Sequence, residues 1–112
     1  MTMATLYYVS SHATRDERVA ARDDAALLPK GKYDVTARID VGDIGTSPAD
    51  CISAADALFE RFNIGDRAGL SVRSMSVGDV VAFDGRAIAM LCCKVGWRAV
   101  PASRLPEPTK AS

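Results

Sequence analysis

The sequence predicts a single α+β domain: a mostly antiparallel sheet of about five strands with a main helix at residues 48–62 packed on one face. Three observations predict it. Asp84-Gly85 sits between the apolar runs Val80–Phe83 and Arg86–Leu91, the pairing of turn and apolar strands that marks a β-hairpin. Tyr33–Val41 alternates apolar and polar residues, as a strand with one wet face does. Between them, Ile52, Ala55, Leu58, Phe59 and Phe62 recur at helical spacing and make one apolar stripe.

Taken in order, Thr5–Val9 is rich in β-formers and reads as the first strand. Thr14-Arg15-Asp16-Glu17 has the form of a capping box and predicts a helix from about Arg15 to Leu28, stopped by Pro29 and Gly31. The apolar face of that helix is thin, chiefly Val19, Ala26 and Leu27, so a segment ordered by a partner is the alternative. In Tyr33–Val41 the odd-numbered residues are expected on one face, and Asp34, Thr36, Arg38 and Asp40 on the other. Ser47 then caps, Pro48 takes the first helical position, and Asp50 sits in the first turn, where a carboxylate suits the helix dipole. Asn63 and Gly65 end that helix.

Arg73-Ser74-Met75-Ser76 leads into Gly78-Asp79, a turn pair that starts the strand Val80–Phe83. The next strand, through Leu91, is apolar on both sides and is expected to be central. Lys94-Val95-Gly96 turns the chain into a short third strand of this meander, Trp97–Val100, ended by Pro101. The domain is expected to span residues 1–100, with 101–112 a flexible tail.

Composition excludes several function classes. Of 112 residues, 48% are hydrophobic and 25% charged, as in a globular chain, and the formal net charge of zero removes a whole-chain argument for nucleic acid. The charge is uneven: residues 1–65 carry ten acids against seven bases, −3, and residues 66–112 four against seven, +3. An odd cysteine count, Cys51, Cys92 and Cys93, with no secretory pattern at the start of the sequence, fits a reducing cytoplasm. The longest apolar run, Ala87–Cys93, is far short of a membrane span.

His12 is the only histidine, and no metal-binding spacing joins it to the cysteines, so no metal or cofactor is expected. Gly-rich phosphate-binding signatures are absent. Adjacent strand cysteines point to opposite faces and read as buried thiols rather than a nucleophile. Among the polar residues, Arg73, Ser74 and Ser76 form a cationic, hydroxyl-rich approach to the meander; they either grip an anion or a partner carboxylate or satisfy their own turn. Trp97-Arg98 joins two residue types enriched at interfaces, with a core tryptophan as the alternative. Arg38 stands on the wet face of its strand.

Tyr33-Asp34-Val35-Thr36-Ala37-Arg38-Ile39, the amphipathic helix, Arg73-Ser74-Met75-Ser76-Val77-Gly78-Asp79-Val80-Val81 and Val95-Gly96-Trp97-Arg98 together resemble the small YodL-like domain, a family of accessory genes of bacterial plasmids, integrated elements and phages. The resemblance covers about residues 33–100 and rests mainly on Ser-x-Ser-Val-Gly-Asp-Val-Val; the chain before Leu28 lies outside it. It implies an α+β domain with an accessory, binding role and brings no catalytic mechanism. The expectation is therefore a non-enzymatic accessory protein of a mobile element. It would bind a protein partner through Arg73, Ser74, Ser76, Trp97, Arg98 and Arg38, and the resemblance suggests inhibition or modulation of a host defence or transfer system. A nucleic-acid-binding module using the basic C-terminal half is the alternative.

Overall fold

The computed structural model describes residues 2–24, 26–63, 75–94 and 96–106. The expected α+β architecture is found. Five strands form one antiparallel sheet: β1 Thr2–Val9, β2 Tyr33–Gly42, β3 Val80–Phe83, β4 Ile88–Cys92 and β5 Trp97–Pro101, in the spatial order β2-β1-β3-β4-β5. The meander of the last three strands thus docks on β1, which lies beside β2 on its other side. Helix α1 spans Arg15–Asp23 and helix α2 spans Pro48–Asn63.

α2 covers one face. Cys51, Ala55 and Leu58 meet Leu6, Tyr8, Val81, Phe83 and Met90 there, all buried. Phe59 packs at the margin of this core, and the side chain of Phe62 lies outside the described ones. The helix starts as its sequence dictates: the Ser47 hydroxyl accepts from the Asp50 N–H at 3.2 Å and donates to the Asp50 carboxylate at 2.8 Å.

The opposite face is covered too over the central strands and the start of β2, while Asp34, Arg38 and Asp40 of β2 stay exposed. Tyr7, Tyr33, Val80, Ala89, Leu91 and Val100 lie under α1, the stretch from Ala26 to Lys32 and the segment after β5. α1 is shorter than the expected 15–28. Its capping box forms, with the Glu17 N–H donating to Thr14 Oγ1 at 3.1 Å and the Thr14 N–H to Glu17 Oε1 at 2.8 Å. Beyond Asp23 the chain turns down onto the sheet, and Leu28 becomes buried with its N–H donating to the Tyr33 hydroxyl at 2.9 Å. Burial of Leu28 outweighs one more turn of a helix with so thin an apolar face.

β2 contains the largest departure from simple alternation. Its pairing with β1 shifts between Leu6 and Tyr7, where Tyr7 opposes Val35 and Leu6 opposes Ala37, so Thr36 is an extra residue. This β-bulge exchanges the faces. Tyr33 and Val35 pack on the α1 side, whereas Ala37, Ile39 and Val41 pack on the α2 side. The expectation that all five share one face fails at Thr36.

Two further expectations change. The register Ala82↔Ala89 leaves Asp84–Ala87 as a four-residue connection between β3 and β4, wider than a two-residue hairpin. Gly85 supplies the positive φ of +77°, as read, but Arg86 leaves the strand so that its guanidinium can donate to the carbonyls of Ile44 and Gly45 at 3.1 and 3.2 Å. Residues 102–106 are not a frayed tail either. Leu105 is buried against the α1-side core, and the Tyr7 hydroxyl donates to the Pro106 carbonyl at 2.7 Å.

Candidate functional site

The turn Ser76-Val77-Gly78-Asp79 organises one end of the sheet, and it does so through its backbone and a single buried carboxylate. Asp79 is 1% exposed. Its two oxygens accept from the Val9 N–H at 2.9 Å and the Ser76 N–H at 2.8 Å, which joins the end of β1 to the start of the turn. The Asp79 N–H closes the turn onto the Ser76 carbonyl at 3.0 Å. Gly78 donates to the Cys92 carbonyl at 2.8 Å with φ at +101°, and a Cβ placed there would stand 3.3 Å from Ala21 Cβ of α1. The motif on which the sequence resemblance mainly rests is thus the junction where β1, β3, β4 and α1 meet. Its side chains mostly build the fold.

Beside this junction lies a cleft of about 520 Å³. Tyr8 and Val9 line it from β1, Asp34 and Thr36 from β2, Ser11 and Ser76 from loops, and Arg18 and Arg22 from successive turns of α1. Thr36 reaches it as the bulge residue, the role bulges often play in re-aiming a side chain. Arg18 is fixed in place: its guanidinium donates to the carbonyls of Ala13, Ser10 and Ser11 at 3.2, 3.3 and 3.1 Å. The cleft therefore presents cations from the helix and a carboxylate from the strand.

Of the residues singled out from sequence, Ser76 belongs to this cleft. Trp97 and Arg98 lie on β5, at the same end of the sheet, because Gly78 bonds Cys92 and Cys92 pairs with Trp97. The Trp97 ring is half-buried against α2. It meets Phe59 edge-on, with centroids 6.1 Å apart at 87°, and its indole N–H donates to the Asp56 carboxylate. Arg98 is exposed and opposes Leu91, so it projects on the α1 side of the sheet while Trp97 projects on the α2 side. Arg38 is not part of this group. It sits on β2, the far edge, with its guanidinium 2.7 Å from the Asp84 carboxylate. Arg73 and Ser74 lie outside the described residues. The four described residues, Ser76, Trp97, Arg98 and Arg38, therefore do not form one surface.

Sequence reasoning missed Arg18, Arg22, Ser11 and Asp34. Arg18 and Arg22, four apart on a helix, share a face, and that spacing was the available signal. Asp34 and Ser11 needed the packing of α1 over the sheet end to be known.

The Cys92 thiol is unlike a nucleophile. Burial, then the Asp79 carboxylate, pushes Cys92 up to about 12, so it stays protonated at neutral pH. Cys51, on the sheet-facing side of α2, is fully buried, and Cys93 is partly exposed. Among the described residues, no three His, Cys, Asp or Glu side chains gather into a metal-binding set, and no helix is long and apolar enough to cross a membrane.

Comparison with known proteins brings no match among family models, curated proteins or solved structures.

Proposed function

We propose that the protein is a non-enzymatic accessory protein of a mobile genetic element, acting in the cytoplasm by binding a protein partner and so inhibiting or modulating a host defence or transfer system. The mobile-element setting and the target system rest on the resemblance of residues 33–100 to the YodL-like domain. The observation that supports a protein partner over nucleic acid is the mixed charge of the sheet-end cleft, where Arg18 and Arg22 share the lining with Asp34. Neighbouring cations are already matched: Lys94 stands 3.0 Å from Asp23, and Lys32 3.4 Å from Glu17. A phosphodiester backbone is held by an unbroken positive field, whereas a protein surface offers both signs.

Affinity capture from native host lysate tests this, with and without nuclease. Wild type is compared with Ser76→Trp, which fills the cleft mouth, and Arg98→Glu at the β5 edge. The expected result is a stoichiometric protein band that resists nuclease and is lost with Ser76→Trp. Recovery of nucleic acid, or loss of every band on nuclease treatment, would instead select the nucleic-acid module. Steep weakening with salt would accompany that outcome.

A further inference from the structure

β2 is the last strand of the sheet order, and its outer edge has a definable polarity. The Met3 carbonyl accepts from the Asp84 N–H at 3.0 Å, so the backbone of Met3 faces β3. Backbone direction alternates along an antiparallel pair. The register Met3↔Asp40 and Thr5↔Arg38 therefore turns the N–H and C=O groups of Arg38 and Asp40 outward, away from β1, and those of Ile39 inward. No described strand pairs with the outward groups. Register shifts at Leu6/Tyr7 and Thr2/Met3 bracket Ala37–Asp40, so the regular edge is short and contains Ile39.

The same residues are self-complementary. Ile39 packs on the α2 side, so Arg38 and Asp40 on either side of it both project on the α1 side, where both are exposed. A two-fold axis through Ile39 sets Arg38 of one copy opposite Asp40 of the other, and Asp40 opposite Arg38. These are the two outward-facing positions, so each pair can exchange both of its backbone bonds. Moving the axis by one residue would oppose Arg38 to Arg38 or Asp40 to Asp40, a like-charge register. With the axis at Ile39, that residue falls at a non-hydrogen-bonded position, where side chains approach most closely, and it meets its own copy on the α2 side. Ala37 and Val41 lie half-buried on that side and extend the apolar seam.

Existing contacts leave room for this pairing. Arg38 holds Asp84 through Nη2 at 2.7 Å, at the surface, and a guanidinium has further N–H donors. Asp40 accepts from the Gly42 N–H through Oδ1 at 2.8 Å, and its carboxylate has a second oxygen. The other edge strand, β5, carries Arg98 and no acid, so it has no such match to itself.

We propose that the protein self-associates through β2, two copies pairing antiparallel about a two-fold axis at Ile39 to form one continuous sheet. This goes beyond the reading of the sheet-end cleft and does not depend on it. The bulges confine the ladder to a few residues, so the dimer is weak, with a dissociation constant on the order of 10–1,000 µM.

The test is sedimentation equilibrium of the full chain between about 10 µM and 2 mM at low ionic strength. Wild type should move from monomer toward dimer and no further, because a two-fold seam closes on itself. Arg38→Asp and Asp40→Arg each place like charges across the seam, and each alone should associate at least about tenfold more weakly. Mixed in equal amounts, the two variants set opposite charges at both positions and should regain association to within about threefold of wild type. Circular dichroism melting checks that each variant folds. Should Arg38→Asp fold poorly for want of its Asp84 contact, the ¹⁵N amide spectrum of wild type decides: concentration-dependent shifts must centre on Arg38, Ile39 and Asp40. A monomer at every concentration, shifts centred elsewhere, association indifferent to both variants, or folded variants that fail to rescue each other would overturn the proposal. Growth beyond a dimer would also overturn it. None of these outcomes bears on lysate capture with Ser76→Trp, which tests the cleft.

Discussion

Asp79 shows how one side chain can hold an end of the sheet. A buried carboxylate satisfied by two backbone N–H groups contributes more than a neutral hydrogen bond, and removing it leaves both donors unpaired in the interior. Asp79→Ala is therefore expected to lower stability by about 2–4 kcal/mol, read as a lower urea midpoint at unchanged m. Gly78 is constrained in a different way. Its φ of +101° is costly for any side chain, and Ala21 leaves no slack for a Cβ. Gly78→Ala should cost about 1–3 kcal/mol and loosen α1 first, seen as faster amide exchange over Arg15–Asp23. At the same scale, Cys92 and Cys51 are protected thiols, whereas Cys93 is partly exposed. Iodoacetamide at pH 8 should add one label to the native protein and three after denaturation, counted by intact mass, since the chain has three cysteines.

At the scale of elements, the bulge at Thr36 decides which side of β2 meets which layer. Deleting Thr36 would set Val35 directly before Ala37, opposite Tyr7 and Leu6, so a regular ladder keeps Tyr33 and Val35 on the α1 side and Ala37, Ile39 and Val41 on the α2 side. The expected outcome is a cooperative thermal transition that survives with a shifted midpoint, measured by circular dichroism. The bulge could not be read from Tyr33–Val41, because an apolar-polar alternation looks the same with or without one extra residue opposite the partner strand. The docking of α2 on β5 has its own reporter. Trp97 is the only tryptophan, and its ring is held by Phe59 and Asp56. Asp56→Ala should red-shift its emission as the indole N–H turns to solvent. The stability cost should be modest, about 0.5–1.5 kcal/mol, because the bond is near the surface.

For the whole molecule, groups buried on the two faces of the sheet set the response to alkali. Cys92 titrates at about 12 in the folded chain against an ordinary value near 9. Tyr7 and Tyr33 are also raised, chiefly by burial. In each case the unfolded chain releases its proton at lower pH than the folded one. The stability these groups contribute is complete below the unfolded value and is lost as pH rises toward the folded one. Stability should therefore fall between about pH 9 and 12, by at most about 1.4 kcal/mol per pH unit from Cys92. Urea midpoints measured across that range check it, and Cys92→Ser should flatten the first part of the decline.

The sequence by itself determined the α+β class, the amphipathic helix α2 with its Ser47 cap, the capping box of α1 and the strands of the meander. These are local signals: each depends on residues within one or two turns of each other. Only the tertiary structure decided what depends on distant neighbours. The strand order brings β1 between β2 and β3. The bulge fits β2 to β1, and Leu28 and Leu105 are drawn down onto the α1-side face of the sheet. The candidate site followed the same division. Ser76 was found because it belongs to a patterned turn. The ion pair of Arg38 with Asp84 was not legible, because the two stand 46 residues apart in the chain. The cleft itself exists only where α1 comes to lie across the end of the sheet, a contact made by packing and invisible to spacing.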